Sequence, residues 1–349
     1  MFFEAVRTGG CVSYVIGCQK TCAAIVVDPE LSQKDRYLSL VAANGLRIHY
    51  LLDTHTHADH FSCVRDLAQE LGVPSIMHRN SPTPFVDVRV EDGETIIVGE
   101  LRLGVLHTPG HTRDSICLVL PELVLTGDTL LLGSVGRTDL PTGDPEALWD
   151  SLFQHLLRLD DSLLVYPAHN YKAAPPTTLG EQRSTNPRLA KQDRAGFVEQ
   201  MRSLSLAMPD HLTEALRTNS TGGRTVAQII HEAAEKIAFV SMDELRRRIA
   251  SGAPGLAILD VREAEAYAAA HVPGAIHLPR GQLELVVDKV LPDPTVRVLT
   301  YCEFGKISTI AAATLRSMGF TGAVALDGGF RTWRESGYPV ESGAPKPRS

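Results

Sequence analysis

The chain has 349 residues, of which 44% are hydrophobic and 21% charged, with a formal net charge of -7 and a pI near 6.0. That length exceeds one usual core, so two domains are expected, and the acidic balance argues against a general binder of nucleic acid or anionic membrane. Six scattered cysteines argue against a secreted disulfide framework, and no run approaches the ~18 apolar residues of a membrane span. The opening stretch has an early acid, Glu4, and no apolar core, unlike a secretory leader, so a soluble cytoplasmic protein is expected.

In chain order, residues 11–16 and 23–27 read as a strand pair around a turn at 17–21. Cys18 and Cys22 belong to that turn, but no second cysteine pair completes a metal site, so they read as structural. A helix over 33–44 is closed by Gly45. The apolar run 48–52 reads as a buried strand, and it delivers Thr54-His55-Thr56-His57-Ala58-Asp59-His60. Imidazoles packed this densely on a tight turn would be partly desolvated and would repel one another when protonated. A divalent cation removes both costs. Apolar Val64, Leu67, Ala68 and Leu71 then follow at helical spacing, stopped by Gly72.

Short strands follow near 75–77, 95–98 and 101–106. The last leads into His107-Thr108-Pro109-Gly110-His111-Thr112, the run 123–125 leads into Gly127-Asp128, and 163–166 leads into Pro167-Ala168-His169. Four strand ends thus each deliver a candidate ligand, which describes an α/β layered fold with its site on one rim. His78 and His107 lack a partner spacing and read as ordinary polar or core residues. A helix is expected from Asp144 or Pro145 to Leu159, with the proline in its first turn. Residues 171–219 read as helical and loop decoration over the rim, 218–223 as the end of that domain, and 225–236 as a linking helix.

A second α/β unit begins near Val240, where Ser241 and Glu244 stand in the capping-box arrangement before a helix reaching about Ala250. Strands over 256–259 and 296–301 end at Asp260-Val261-Arg262 and at Cys302. Cys302 precedes Glu303-Phe304-Gly305-Lys306-Ile307-Ser308 and an alanine-rich helix over 309–318, so its thiol faces unpaired N–H groups and a helix dipole that favour thiolate. Cys302 is therefore read as a nucleophile, whereas Cys63 and Cys117, inside regular elements, read as small buried hydrophobes. Lys306 is either a holder of anionic substrate or a solvated surface lysine.

His55, His57, Asp59, His60, His111, Asp128 and His169 are enough ligands for two metals. Two sites sharing Asp128 would suit hydrolysis by a bridging hydroxide. One site of His55, His111 and Asp128 would be a two-histidine, one-carboxylate face, which suits non-haem Fe(II) and O2. Spacing does not choose between them.

As a set, the histidine turn, Thr108-Pro109-Gly110-His111-Thr112, Gly127-Asp128 and Tyr166-Pro167-Ala168-His169 resemble the metallo-β-lactamase superfamily. The resemblance covers residues 1 to about 220 and implies an αβ/βα sandwich with metal at its rim. Gly136-Arg137-Thr138-Asp139, His169-Asn170-Tyr171 and the run from Arg183 to Leu189 resemble its persulfide dioxygenase branch. That implies one Fe(II) per chain on His55, His111 and Asp128, with His57, Asp59, His60 and His169 retained around it. It also implies oxidation of glutathione persulfide by O2 and water to glutathione and sulfite, with Arg137, Tyr171 and Arg183 holding the glutathione part.

Residues 238–343 resemble a single rhodanese domain through Asp260 and Arg262, His271-Val272-Pro273-Gly274, Cys302 with Gly305 and Ser308, and Asp327-Gly328-Gly329-Phe330 before Trp333. Such a domain passes a sulfane sulfur through its cysteine, here Cys302 in the loop of Glu303, Phe304, Gly305, Lys306, Ile307 and Ser308. The family's loop carries an arginine where Ile307 stands, which puts thiosulfate as donor in doubt.

The expected layout is a dioxygenase domain over 1–222, a linking helix over 223–237 and a rhodanese sulfurtransferase domain over 238–345. Glutathione persulfide, O2 and thiosulfate or sulfite are the expected small-molecule partners, and a homo-oligomer stays open. The rival is a binuclear glutathione thioester hydrolase of the glyoxalase II kind with an appended sulfur-carrier or sensing domain.

Overall fold

The computed structural model describes residues 1–190, 193–209, 212–252 and 255–344. The chain divides into two compact units, Met1–Gly223 and Arg224–Ser349. The domain end expected at residue 345 lies outside the described residues.

The first unit is built on two sheets. One orders its six strands Phe2–Thr8, Cys11–Cys18, Ala23–Val27, Arg47–Leu52, Ser75–His78 and Val88–Val90. The other orders five as Leu164–Pro167, Leu123–Gly127, Ile116–Val119, Leu101–His107 and Thr95–Val98. Side chains alternate along each strand, so Cys11–Cys18 sends Val12, Tyr14 and Ile16 to one face and Val15 to the other. The first three meet Val98, Leu103, Leu118 and Leu125 of the second sheet in a core between the sheets. Outside the first sheet, Tyr37, Val41, Val64 and Leu67 of the helices Lys34–Ala43 and Val64–Leu71 cover Val15, Val26 and Leu51. Outside the second, Leu148, Leu152, Phe197 and Met201 cover Val124 and Val165. Each of these fully buried side chains contributes about 1.5–3 kcal/mol over exposure. The result is helix, sheet, sheet, helix: the expected αβ/βα sandwich.

Two strands go unread in the sequence and one expected helix breaks early. The strands Phe2–Thr8 and Ile116–Val119 escape the sequence pattern, the first because Glu4 and Arg7 interrupt its apolar residues and the second because it is four residues long and follows directly on a ligand loop. The helix expected to Leu159 is regular only over Pro145–Asp150, capped by Asp144, then widens to a π turn at Ser151–His155 and tightens at Leu156–Arg158. At that break the Ser151 hydroxyl donates to the Pro109 carbonyl at 2.6 Å. The first unit ends at Gly223, within the stretch 218–223 read as the domain end, although residues 218–221 are the last turn of the helix Leu212–Thr221, with Thr218 and Asn219 buried.

The second unit has one all-parallel sheet, ordered Phe239–Val240, Ala323–Leu326, Arg297–Tyr301, Leu256–Asp260 and Ile276–His277. Helices cover both faces, which is why its central strands read as near-continuous apolar runs. Ser241 caps the helix Met242–Ala250 by accepting from the Glu244 N–H, but the Glu244 carboxylate turns to Arg248, so only half of the capping box forms. Gly305, at a left-handed φ of 82°, turns the chain into the helix Lys306–Ser317. That helix starts three residues before the expected Thr309, so Lys306, Ile307 and Ser308 are its first turn rather than loop.

Candidate functional site

Two buried acids hold the histidine turn open. Asp28, at the end of the strand Ala23–Val27 and at a left-handed φ of 51°, accepts from the Thr54 N–H at 2.6 Å and the Thr54 hydroxyl at 2.9 Å, and faces His57 Nε2 at 3.1 Å. Asp114 accepts from the Thr56 N–H at 3.1 Å and the Thr56 hydroxyl at 2.7 Å. Because the Thr54 hydroxyl gives its proton to Asp28, it accepts from His55 Nδ1 at 3.0 Å, which leaves the lone pair on His55 Nε2. His111 Nδ1 donates to the Arg137 carbonyl at 2.8 Å, which likewise leaves its lone pair on Nε2, 3.5 Å from Asp128 Oδ2.

His55, His111 and Asp128 each offer a ligand atom, and these atoms lie within 4.8 Å of one another, all in buried residues. His55 Nε2 is buried without any hydrogen-bond partner. An unpaired buried acceptor of that kind costs about 1–3 kcal/mol, and a cation there removes the cost, so the residues fit a metal. Burial keeps His55 well below its usual pKa, with the neighbouring His57 adding to the effect, so the ring is in the neutral form that ligates. Burial pushes the Asp128 carboxyl up, but His169, with His111 and His55 behind it, more than offsets this and holds it well below the usual carboxylate range.

A second group lies beside the first. His169 Nδ1 is 2.7 Å from Asp128 Oδ1 and its Nε2 is 2.6 Å from Asp59 Oδ2, while His60 Nδ1 is 3.4 Å from the same Asp59 oxygen. Cys11 Sγ joins them at 3.4 Å from His169 Nε2. A further group is formed by Asp28, Asp53 and His57. Sequence reasoning misses Cys11, because a lone cysteine at a strand start has no diagnostic spacing. It also misses Asn219, whose side-chain amide donates to the carbonyls of His57 at 2.9 Å and His60 at 2.8 Å and accepts from the Ser62 N–H at 3.0 Å.

A cleft of about 360 Å³ opens over this centre, bordered by His111, Asp128, Arg137 and Tyr171 with Leu140 and Leu206. Arg137 forks onto Asp139 at 2.6 and 2.7 Å and donates to the Ala207 carbonyl at 2.7 Å. The Tyr171 ring stacks on His169 with 5.4 Å between centroids and stays largely exposed. Arg183, expected beside these two, does not line the cleft. It donates to the Leu157 carbonyl and pairs with Asp161 at 2.6 Å, lining a separate hollow with Trp149 and Phe153, because its helix, Leu179–Thr185, directs it there.

In the second unit Cys302 is buried at the end of its strand, and the Ser308 N–H points at its sulfur at 3.3 Å. Gly329 closes the loop from behind: a Cβ there would lie 2.6 Å from the Gly305 nitrogen and 2.8 Å from the Cys302 carbonyl. Arg262 braces it, paired with Asp260 at 2.6 Å and Glu303 at 2.9 Å and lying 4.0 Å over the Phe330 ring. Phe304, Lys306 and Ile307 are exposed around the thiol.

Fold and site define a metal-binding domain of the metallo-beta-lactamase type followed by a rhodanese domain. The metallo-beta-lactamase superfamily model matches residues 6–169 and the rhodanese-like domain model matches residues 241–336. A Staphylococcus aureus metallo-beta-lactamase structure is similar at 25% identity and a TM-score of 0.61, covering 93% of this chain and 98% of that one. The crystal structure of ETHE1 from Myxococcus xanthus is 37% identical with a TM-score of 0.62, covering 64% of this chain and all of that one (100%). The mitochondrial persulfide dioxygenase ETHE1 of Bos taurus is 35% identical over 214 residues, 60% of this chain and 84% of that protein. The chain belongs to the persulfide dioxygenase ETHE1 family of the metallo-beta-lactamase superfamily, and it carries a C-terminal rhodanese domain. Among the described residues no helix is long and apolar enough to cross a membrane.

Proposed function

We propose that the first unit oxidises glutathione persulfide with O2 and water to glutathione and sulfite, using one Fe(II) held by His55, His111 and Asp128. We propose also that the second unit moves sulfane sulfur between a donor and glutathione through Cys302. The observation that supports the first half is the buried two-histidine, one-carboxylate group with its unpartnered His55 Nε2, a donor set suited to non-haem Fe(II). When bound, the iron would bring persulfide and O2 together and take part in the electron transfer between them.

The protein's own part is orientation. Thr54 and the Arg137 carbonyl hold both imidazoles with their lone pairs inward, and His169 steadies the Asp128 carboxylate. The Arg137 guanidinium, held in plane by Asp139 and also donating to the Ala207 carbonyl and the Met208 sulfur, has one N–H left for a glutathione carboxylate, and Tyr171 offers the peptide a ring face. The glutathione assignment rests on these two and no longer on Arg183. In the second unit the Cys302 thiolate attacks the sulfane sulfur of a donor, whose remainder leaves with the bonding electron pair. The resulting Cys302 persulfide then gives that sulfur to a glutathione thiolate. Exposed Phe304 and Ile307 beside the thiol support a thiol-borne persulfide over the thiosulfate dianion as donor. All six cysteines are free, which supports a reducing, cytoplasm-like compartment.

The second ligand group of Cys11, Asp59, His60 and His169 favours a second reading, binuclear thioester hydrolysis. Paired variants test the two-site reading. Cys302→Ser should abolish sulfur transfer and leave oxidation of supplied glutathione persulfide intact, while His111→Ala should do the reverse and lose iron. Equal loss of both activities in either variant contradicts it.

A further inference from the structure

We infer that the second unit carries an anion-binding recess, at the end of its sheet remote from Cys302, for a small oxyanion bearing two or more negative charges. The recess has a volume of about 230 Å³ and is lined by Arg248, Arg297 and Arg316, with Thr321 at its edge and Leu256 and Val324 among its apolar walls. No acidic residue lines it among the described residues.

The three guanidiniums come from three elements: the helix Met242–Ala250, the first position of the strand Arg297–Tyr301, and the helix Lys306–Ser317. Arg248 already has a partner, Glu244, at 3.0 Å. Arg297 and Arg316 are exposed and form no ion pair among the described residues. In a chain of net charge -7, Arg297 and Arg316 beside one hollow, with the carboxylate of Glu244 taken by Arg248, repel one another unless an anion joins them. The dipoles of the two helices account for a cation in the last turn of each, and Arg248 and Arg316 stand there. That effect does not account for Arg297 at a strand start, nor for all three closing on one recess. Planar guanidiniums present paired N–H donors that match tetrahedral oxyanions, and apolar walls strengthen such contacts by thinning the water around them. The recess lies at the beginning of the strand Arg297–Tyr301 and Cys302 just past its end. At ~3.3 Å per residue the two are about 16 Å apart, so an anion here is not in contact with the thiol.

Phosphate and sulfur oxyanions share this chemistry, and one titration separates them. Isothermal titration calorimetry would use the full chain carrying Cys302→Ser, with inorganic phosphate, pyrophosphate and sulfate added in turn at an ionic strength fixed by sodium chloride. A saturable site is expected, tighter for phosphate or pyrophosphate if the ligand is a phosphate and tighter for sulfate if it is a sulfur oxyanion. Arg297→Gln and Arg316→Gln should each weaken it about tenfold or more, and the charge-keeping Arg297→Lys and Arg316→Lys by less. With Cys302 intact, the glutamine variants should retain sulfur transfer, which shows that the unit still folds. No saturable binding, or equal binding by the parent and the two glutamine variants, overturns the assignment.

Discussion

His111 Nδ1 donates to the backbone carbonyl of Arg137 at 2.8 Å, while the side chain of the same arginine forks onto Asp139 at the wall of the cleft. Under the proposed function one residue would therefore orient a metal ligand through its main chain and meet substrate through its side chain. Arg137→Ala keeps the carbonyl. It should leave metal content unchanged while raising KM for glutathione persulfide roughly 10- to 100-fold, the value of one charge-assisted hydrogen bond. Metal analysis beside steady-state kinetics checks this, and loss of metal in the variant would show that the side chain, too, holds the centre together.

Gly136 is a sharper probe of the same wall. A Cβ there would lie 1.9 Å from the Asp128 carbonyl oxygen and 3.0 Å from His111 Cβ, so backbone and ligand would both have to move. Gly136→Ala should lose most of its metal and its persulfide oxidation while sulfur transfer by Cys302 continues at the parent rate. Full metal occupancy in this variant would mean that the loop yields more easily than the packing indicates.

Asn219 ties the helix Leu212–Thr221 to the histidine turn through two buried hydrogen bonds, with a third, part-buried one from the Ser62 N–H just beyond it. Asn219→Ala leaves two carbonyls and an N–H unpaired and should destabilise the first unit by about 2–4 kcal/mol. Urea unfolding should show a lower midpoint with the slope unchanged, and metal retention against a chelator should fall in parallel.

His78 is buried against His107, with ring centroids 3.8 Å apart, and its Nδ1 accepts from the Asn80 N–H at 3.2 Å. Burial first, and the neighbouring His107 second, lower its pKa to about 4, with Asp114 and Asp92 opposing and Arg79 adding to the shift. The fold thus favours the neutral ring. Its contribution is present in full above the unfolded value of 6.5 and is lost as pH falls toward 4. Between pH 7 and 4.5 the parent should lose about 1–2 kcal/mol more stability than His78→Gln, measured by urea unfolding at each pH. Parallel losses in the two proteins would remove His78 from the account.

The candidate ligand group of His55, His111 and Asp128 comes together where the sequence places it because apolar runs mark strands and each strand end exposes a residue type that suits a cation. Cys302 is legible for the same reason, although the helix behind it starts earlier, since a glycine in the left-handed conformation lets the strand turn into a helix within a few residues. Arg183 is not legible. Its place in a familiar motif carries no information about which way a short helix turns it, and Leu157 and Asp161 take its N–H groups. Asn219 and Cys11 reach the site across 162 and 158 positions, respectively, a separation at which no local pattern survives. The strand Phe2–Thr8 is missed because its charged outward face looks like a polar segment when its sheet partner is unknown.

The central claim, a single iron on His55, His111 and Asp128 serving persulfide oxidation, is tested most directly by metal analysis of protein purified without chelator, paired with oxygen uptake on glutathione persulfide. About one iron per chain and oxygen uptake that requires the persulfide are expected. Two zinc-like ions per chain with no uptake would contradict it and would transfer the first unit to thioester hydrolysis.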